Sequence, residues 1–156
     1  MRSAAGRRVQ GGHIDKHAYW LSGLLSLFAF RVFAQLLQAV HPVGWLPPFS
    51  EWQGSSLPYP ALLTVQLLII LVLVNLIRKI GQRRLAPDVR IGRVFVVLGG
   101  IYFTVMLLRL LLGLTLLASV PWFAKSIPAF FHLVLASMLL LIGHYHSRGL
   151  TAGRTR

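Results

Sequence analysis

The stretch Arg31-Val-Phe-Ala-Gln35-Leu-Leu-Gln38 lies inside a long apolar run that extends from residue 18 to residue 40. Placing an arginine and two glutamines deep in a membrane helix is costly, so such residues need a local structural or functional reason. Spacings of four and three residues put all three polar side chains on one helical face. The stretch therefore predicts a membrane-spanning helix with a polar face.

The composition extends this prediction to the whole chain. Of the 156 residues, 56% are hydrophobic and 12% are charged, whereas an average soluble domain has about 25% charged residues. Spanning the hydrocarbon core of a bilayer takes about 20 helical residues. Four apolar blocks approach or exceed this length, at residues 18–40, 61–77, 94–119 and 128–143. We expect an all-α integral membrane protein with four transmembrane helices in an antiparallel bundle (residues 18–146), flanked by polar tails at residues 1–17 and 147–156.

The formal net charge of +13 is distributed in a way that indicates topology. Most basic residues precede the first block, follow the fourth, or lie between residues 78 and 93. This alternation follows the positive-inside rule and places both termini and the middle loop in the cytoplasm. Basic residues beside helix ends also attract anionic lipids, so we expect membrane lipids as partners and no nucleic acid. The high ratio of arginine to lysine favours a bacterial-type inner or plasma membrane.

The absence of cysteine excludes several kinds of chemistry. Disulfides, thiol catalysis, thiolate metal sites and covalent c-type haem attachment all require it. The first apolar block is also too long for the core of a signal peptide, and we interpret it as an uncleaved span.

Polar residues inside the blocks concentrate in one half of the predicted bilayer. A rise of 1.5 Å per residue places Arg31 and Arg109 about 14–15 Å from the outer ends of their blocks, and Gln35, Gln66 and His132 about 6–9 Å from theirs. We predict that these five residues form a polar pocket in the outer half of the bundle.

The two buried arginines lack acidic partners in the sequence. The acids are Asp15, Glu51 and Asp88, and the predicted topology puts only Glu51 on the outer side. Because arginine binds phosphate and carboxylate in a bidentate manner, we hypothesise that the pocket binds an anionic amphiphile, such as a lipid or an isoprenoid phosphate. The proline-rich loop at residues 41–60 would cover it, with Trp45, Glu51, Trp52 and Tyr59 as lid or interface residues.

Two other interpretations remain open at this stage. In the first, the chain is a redox subunit that binds haem b or a quinone around His132, with His41 as a second haem ligand. A further haem site would then lie at the opposite surface among His17, His144 and His146. In the second, the chain is an accessory subunit of a larger membrane complex, or a homo-oligomer, whose arginines pair with acids of a partner.

The sequence does not establish whether the protein is an enzyme. No acid lies within a block, so neither a Ser-His-Asp set nor a carboxylate metal site can be assembled there. The one acid–base pair that a folded lid would allow is Glu51 with His132.

Overall fold

The computed structural model describes residues 16–54 and 57–147, and this part of the chain is helical without strands. The helices are α1 (Lys16–Val40), α2 (Phe49–Trp52), α3 (Tyr59–Gly81), α4 (Val89–Leu114), α5 (Pro121–Ala124) and α6 (Ser126–Ser147). The four longer helices are each long and apolar enough to cross a membrane. The predicted fold class is therefore confirmed, while most of both predicted tails lies outside the described residues.

The helix boundaries differ from the predicted ones most clearly at α4. This helix begins at Val89, five residues before the predicted start, because the Asp88 side chain caps it by accepting hydrogen bonds from the backbone N–H groups of Arg90 and Ile91. It ends at Leu114 rather than Ser119. Because of this earlier end, Arg109 lies only about 8 Å from the end of its helix, closer to the surface than predicted.

The long helices form a row in which α1 and α6 are central. Within the described residues, contacts between long helices run from α3 to α1, from α1 to α6 and, most extensively, from α6 to α4. Helices α3 and α4 form the two edges of the row, and most of their side chains are exposed. Exposed apolar side chains on these edges, such as Leu68, Leu71 and Leu108, suit contact with lipid.

Glycine allows α4 and α6 to pack with their backbones close together. A Cβ atom at Gly143 would lie 2.8 Å from the backbone nitrogen of Val96, and one at Gly99 would lie 3.1 Å from that of Leu140. Small residues at helix crossings permit this approach in membrane bundles. By contrast, a Cβ atom at Gly23 of α1 would meet no atom within 4 Å, so this glycine does not mark a close helix contact within the chain.

The two ends of the row differ in composition. We call the end formed by the connections at residues 41–58 and 115–125 the aromatic end, and the opposite end, with the connection at residues 82–88, the basic end. At the basic end, the Tyr145 hydroxyl donates a hydrogen bond to the Leu85 carbonyl (2.7 Å), and the backbone N–H of Asp88 donates one to Nδ1 of His146 (3.0 Å). The connection is therefore attached to the end of α6.

Candidate functional site

Gln38 holds the loop that follows α1 in place. Its side-chain amide donates to the carbonyls of Pro47 (2.7 Å), Leu46 (3.1 Å) and Val43 (3.3 Å), and its side-chain oxygen accepts from the backbone N–H of Val43 (2.7 Å). Residues of such a proline-rich loop cannot satisfy one another in a regular ladder, so this single buried side chain provides several of the missing partners. The polar face predicted at residues 31, 35 and 38 thus has a structural role at its C-terminal end.

Arg31 connects α1 with the short helix α2. The residue is buried, with 6% of its surface exposed, and its Nη2 donates to the backbone carbonyl of Trp52 (3.0 Å). Its guanidinium carbon lies 5.4 Å from the centre of the Phe131 ring on α6, within cation–π range. These acceptors carry only partial negative charge, so the positive charge of Arg31 is not neutralised by them.

A cavity of about 230 Å³ lies beside Arg31, between α1, α3 and α6. Its wall is mostly apolar, and its polar lining side chains are Arg31, Gln66 and His132. The loop contributes Gly54 and Leu57. Three of the five residues predicted to form one pocket therefore line a common cavity.

Several buried polar atoms, two of them on the cavity-lining residues Arg31 and Gln66, have no hydrogen-bond partner within the described part of the chain. They are Nε of Arg31, the amide nitrogen of Gln35, the hydroxyl of Tyr59 and the side-chain oxygen of Gln66. Gln66 does donate to the Gln35 oxygen, but at 3.4 Å this bond is longer than an ordinary N–H···O bond. Each buried polar atom left without a partner costs about 1–3 kcal/mol, so the group is suited to accept an additional polar molecule.

His132 is held at the cavity wall by Tyr102 of α4. The Tyr102 hydroxyl lies 2.5 Å from Nδ1 of His132, and the two rings make an edge contact. When the hydroxyl donates this bond, the neutral imidazole carries its proton on Nε2. The remaining polar atom of His132, Nε2, is then a hydrogen-bond donor, as is Nε of Arg31.

Arg109 lies in a different place from Arg31 and does not line the cavity. Its Nη2 donates to the backbone carbonyl of Trp122 (2.8 Å), and its guanidinium carbon lies 4.1 Å from the centre of the Trp122 ring. It contributes instead to a recess at the aromatic end. The two arginines predicted to share one pocket thus line different pockets in the structure, and Gly54 lines both.

The four predicted lid residues differ in how far they are buried. Trp52 is buried, with its indole N–H donating to Pro47 (2.9 Å), and Tyr59 is half-buried against Phe49. Trp45 and Glu51 are exposed, so Glu51 does not cover Arg31. The loop is also attached by Lys125, which donates to the backbone carbonyls of Gln53 (2.9 Å) and Ser50 (3.2 Å).

The positions of the other histidines can be compared with those that the haem hypothesis requires. His41 is exposed, whereas His17 and His144 stack with their ring centres 5.5 Å apart. Two histidines that bind one haem iron point ring nitrogens at it from opposite sides, an arrangement that differs from face-to-face stacking. In the described residues, no group of three or more His, Cys, Asp or Glu side chains is placed to hold a metal ion.

Three features of the site were not singled out from the sequence. The contact of Tyr102 with His132 depends on the α4–α6 crossing. The loop attachments by Gln38 and Lys125 had no sequence signal beyond polar residues near helix ends. All three depend on backbone groups or side chains that only tertiary packing brings near.

Comparison of the chain with protein families, curated proteins and solved structures gives no match. The class of protein therefore rests on the fold, which is that of a multi-pass membrane protein with four helices long enough to span a bilayer. Function has to be argued from the site itself.

Proposed function

We propose that this membrane protein binds the anionic headgroup of an amphiphile, of the lipid or isoprenoid phosphate type, in the cavity between α1, α3 and α6. The observation that carries the proposal is that buried polar atoms of Arg31, Gln35, Tyr59 and Gln66 have no hydrogen-bond partner among the described residues. Because donors predominate and Arg31 adds a positive charge, an anionic acceptor is the complementary ligand.

The size of the cavity limits how such a ligand would be held. Sites for whole small molecules usually measure about 300–1,000 Å³, and this cavity measures about 230 Å³. It accommodates a compact headgroup, and the apolar remainder would leave along the lipid-exposed flank of α3. The apolar lining, with residues such as Phe28, Val65 and Ile69, matches the first part of a hydrocarbon chain.

The test is to identify the amphiphiles that co-purify with the wild type and with Arg31→Leu in mild detergent, using mass spectrometry. We expect a specific anionic amphiphile with the wild type and at least tenfold less with Arg31→Leu, because a charge-assisted hydrogen bond contributes about 1.5–3 kcal/mol. Arg93→Leu removes an exposed arginine of the basic end and should retain the ligand. Gln66→Leu, which leaves the charge in place, should weaken binding to a smaller degree.

Four outcomes would contradict the proposal. Equal retention by Arg31→Leu and the wild type would exclude a role for this arginine. Bulk lipid alone in all samples would indicate a cavity filled by water. A quinone or haem bound through His132 would replace the anionic ligand with a redox cofactor, and loss of a partner protein with Arg31→Leu would favour the accessory-subunit alternative.

A further inference from the structure

We infer that the recess around Arg109 and Lys125 is a second anion site, separate from the cavity at Arg31, which binds a phosphate group at the membrane surface of the aromatic end. The recess measures about 220 Å³ and is open. The recess is lined by Gln53, Gly54, Arg109, Pro121, Trp122 and Lys125.

Two cations meet in this recess without an acidic partner. Within the described part of the chain, the hydrogen bonds of Arg109 and Lys125 end on backbone carbonyls, those of Trp122, Ser50 and Gln53. Glu51, the one acid of this end, is exposed. Carbonyl dipoles offset only part of two positive charges, so an anion that enters the recess gains attraction from both.

Arg109 also has a donor left for a ligand. Only 4% of its surface is exposed, and its Nε is buried without a hydrogen-bond partner in the described residues. The Trp122 ring packs against the guanidinium at 4.1 Å and holds its plane in a fixed orientation. A planar guanidinium positioned in this way is suited to bind phosphate oxygens, while Lys125 supplies a second charge.

The position of the recess indicates the source of the phosphate. Arg109 lies about 8 Å from the end of α4, and the exposed Trp122 and Pro121 border the recess at the level where tryptophan meets lipid headgroups. A phospholipid headgroup reaches this level from the bilayer, and free phosphate reaches it from water. Both present the same anionic oxygens, so the experiment has to separate them.

The test measures the thermal stability of the full chain in detergent while dihexanoyl phosphatidylglycerol, or inorganic phosphate, is added. We expect saturable stabilisation of the wild type, and about tenfold weaker apparent affinity for Lys125→Gln, which removes the charge but keeps a donor for the loop carbonyls. Lys125→Arg should bind like the wild type. Lys79→Gln, an exposed lysine of the basic end, is the matched control.

The responses to the two ligands show whether the recess binds a phospholipid headgroup or free phosphate. Stabilisation by phosphatidylglycerol alone assigns the recess to a lipid headgroup, and stabilisation by both assigns it to phosphate in general. Equal affinities for the wild type and Lys125→Gln, or no saturable effect of either ligand, would overturn the inference. If Lys125→Gln does not fold, Trp122→Leu decides, because it removes the ring that packs against the Arg109 guanidinium, and an affinity equal to that of the wild type would overturn the inference.

This inference stands independently of the proposed function. Arg31→Leu removes none of the residues that line the recess, although Gly54 lines both pockets, and it should retain the effect of Lys125 on phosphatidylglycerol binding. The cavity can therefore prove empty while the recess binds phosphate, and the reverse can also occur.

Discussion

Each of the two buried arginines donates a hydrogen bond to the backbone carbonyl of a tryptophan. Arg31 donates to the carbonyl of Trp52 in α2, and Arg109 donates to that of Trp122 in α5. Each arginine lies in the first long helix of a hairpin, and each acceptor lies in the short helix that follows it. Both guanidiniums therefore have an acceptor even without an acid, but each has a buried Nε that finds no partner among the described residues.

Gln38 offers a direct test at the scale of one residue. We expect Gln38→Leu to lower the free energy of unfolding by about 1–3 kcal/mol, because the carbonyls of the loop at residues 43–47 lose a buried donor. Unfolding by sodium dodecyl sulfate, followed by tryptophan fluorescence, measures the change. Gln53→Ala, which removes only an exposed bond to the Leu57 carbonyl, should have an effect near zero. Similar stabilities for the two variants would show that Gln38 does not hold the loop.

At the scale of helices, the crossing of α4 and α6 is the most extensive contact between elements in the described part of the chain. Its closeness depends on positions at which a side chain would meet backbone, as at Gly143 and Gly92. A similar approach occurs between Gly113 and the Phe123 carbonyl, where the connection at residues 115–125 folds back onto α4. The crossing also brings Tyr102 to His132, so packing at the glycines positions a polar residue of the cavity wall.

Gly143→Ala should destabilise the protein relative to Gly100→Ala. At Gly143, the added Cβ meets the backbone of Val96 at 2.8 Å, while at Gly100 it meets no atom within 4 Å. Overpacking costs about 1–3 kcal/mol, against a gain in helix propensity of up to about 1 kcal/mol that both alanines share. The same unfolding titration compares the variants. Equal free energies of unfolding for Gly143→Ala and Gly100→Ala would show that α4 and α6 move apart without loss of stability.

At the scale of the whole molecule, the row α3–α1–α6–α4 explains which helices can form a site. The two central helices contribute Arg31 and His132, whereas the edge helices each contribute one face and expose the rest. The cavity therefore has α3 as its outer wall, next to lipid. Under the proposed function, an amphiphile would enter from the bilayer along α3 without the loop having to open.

The orientation of the row in the membrane can be tested because the chain has no cysteine. His41→Cys and Gln82→Cys place single thiols at exposed positions of the aromatic and basic ends. The positive-inside rule predicts that a membrane-impermeant maleimide labels His41→Cys in intact cells of the expression host. Gln82→Cys should react only after permeabilisation. The opposite pattern would place the basic end outside, and the wild type provides the unlabelled control.

The amino-acid sequence by itself determined the class of fold, because runs of apolar residues long enough to span a bilayer leave a chain few alternatives. It also determined which polar side chains lie within the spans. Only the tertiary structure decided which of them meet. Arg31 and Arg109 line different pockets because they lie on α1 and α4, and α6 lies between these two helices in the row. Tyr102 reaches His132, and Lys125 reaches the loop, because glycine contacts and backbone carbonyls set distances that hydrophobic periodicity does not encode.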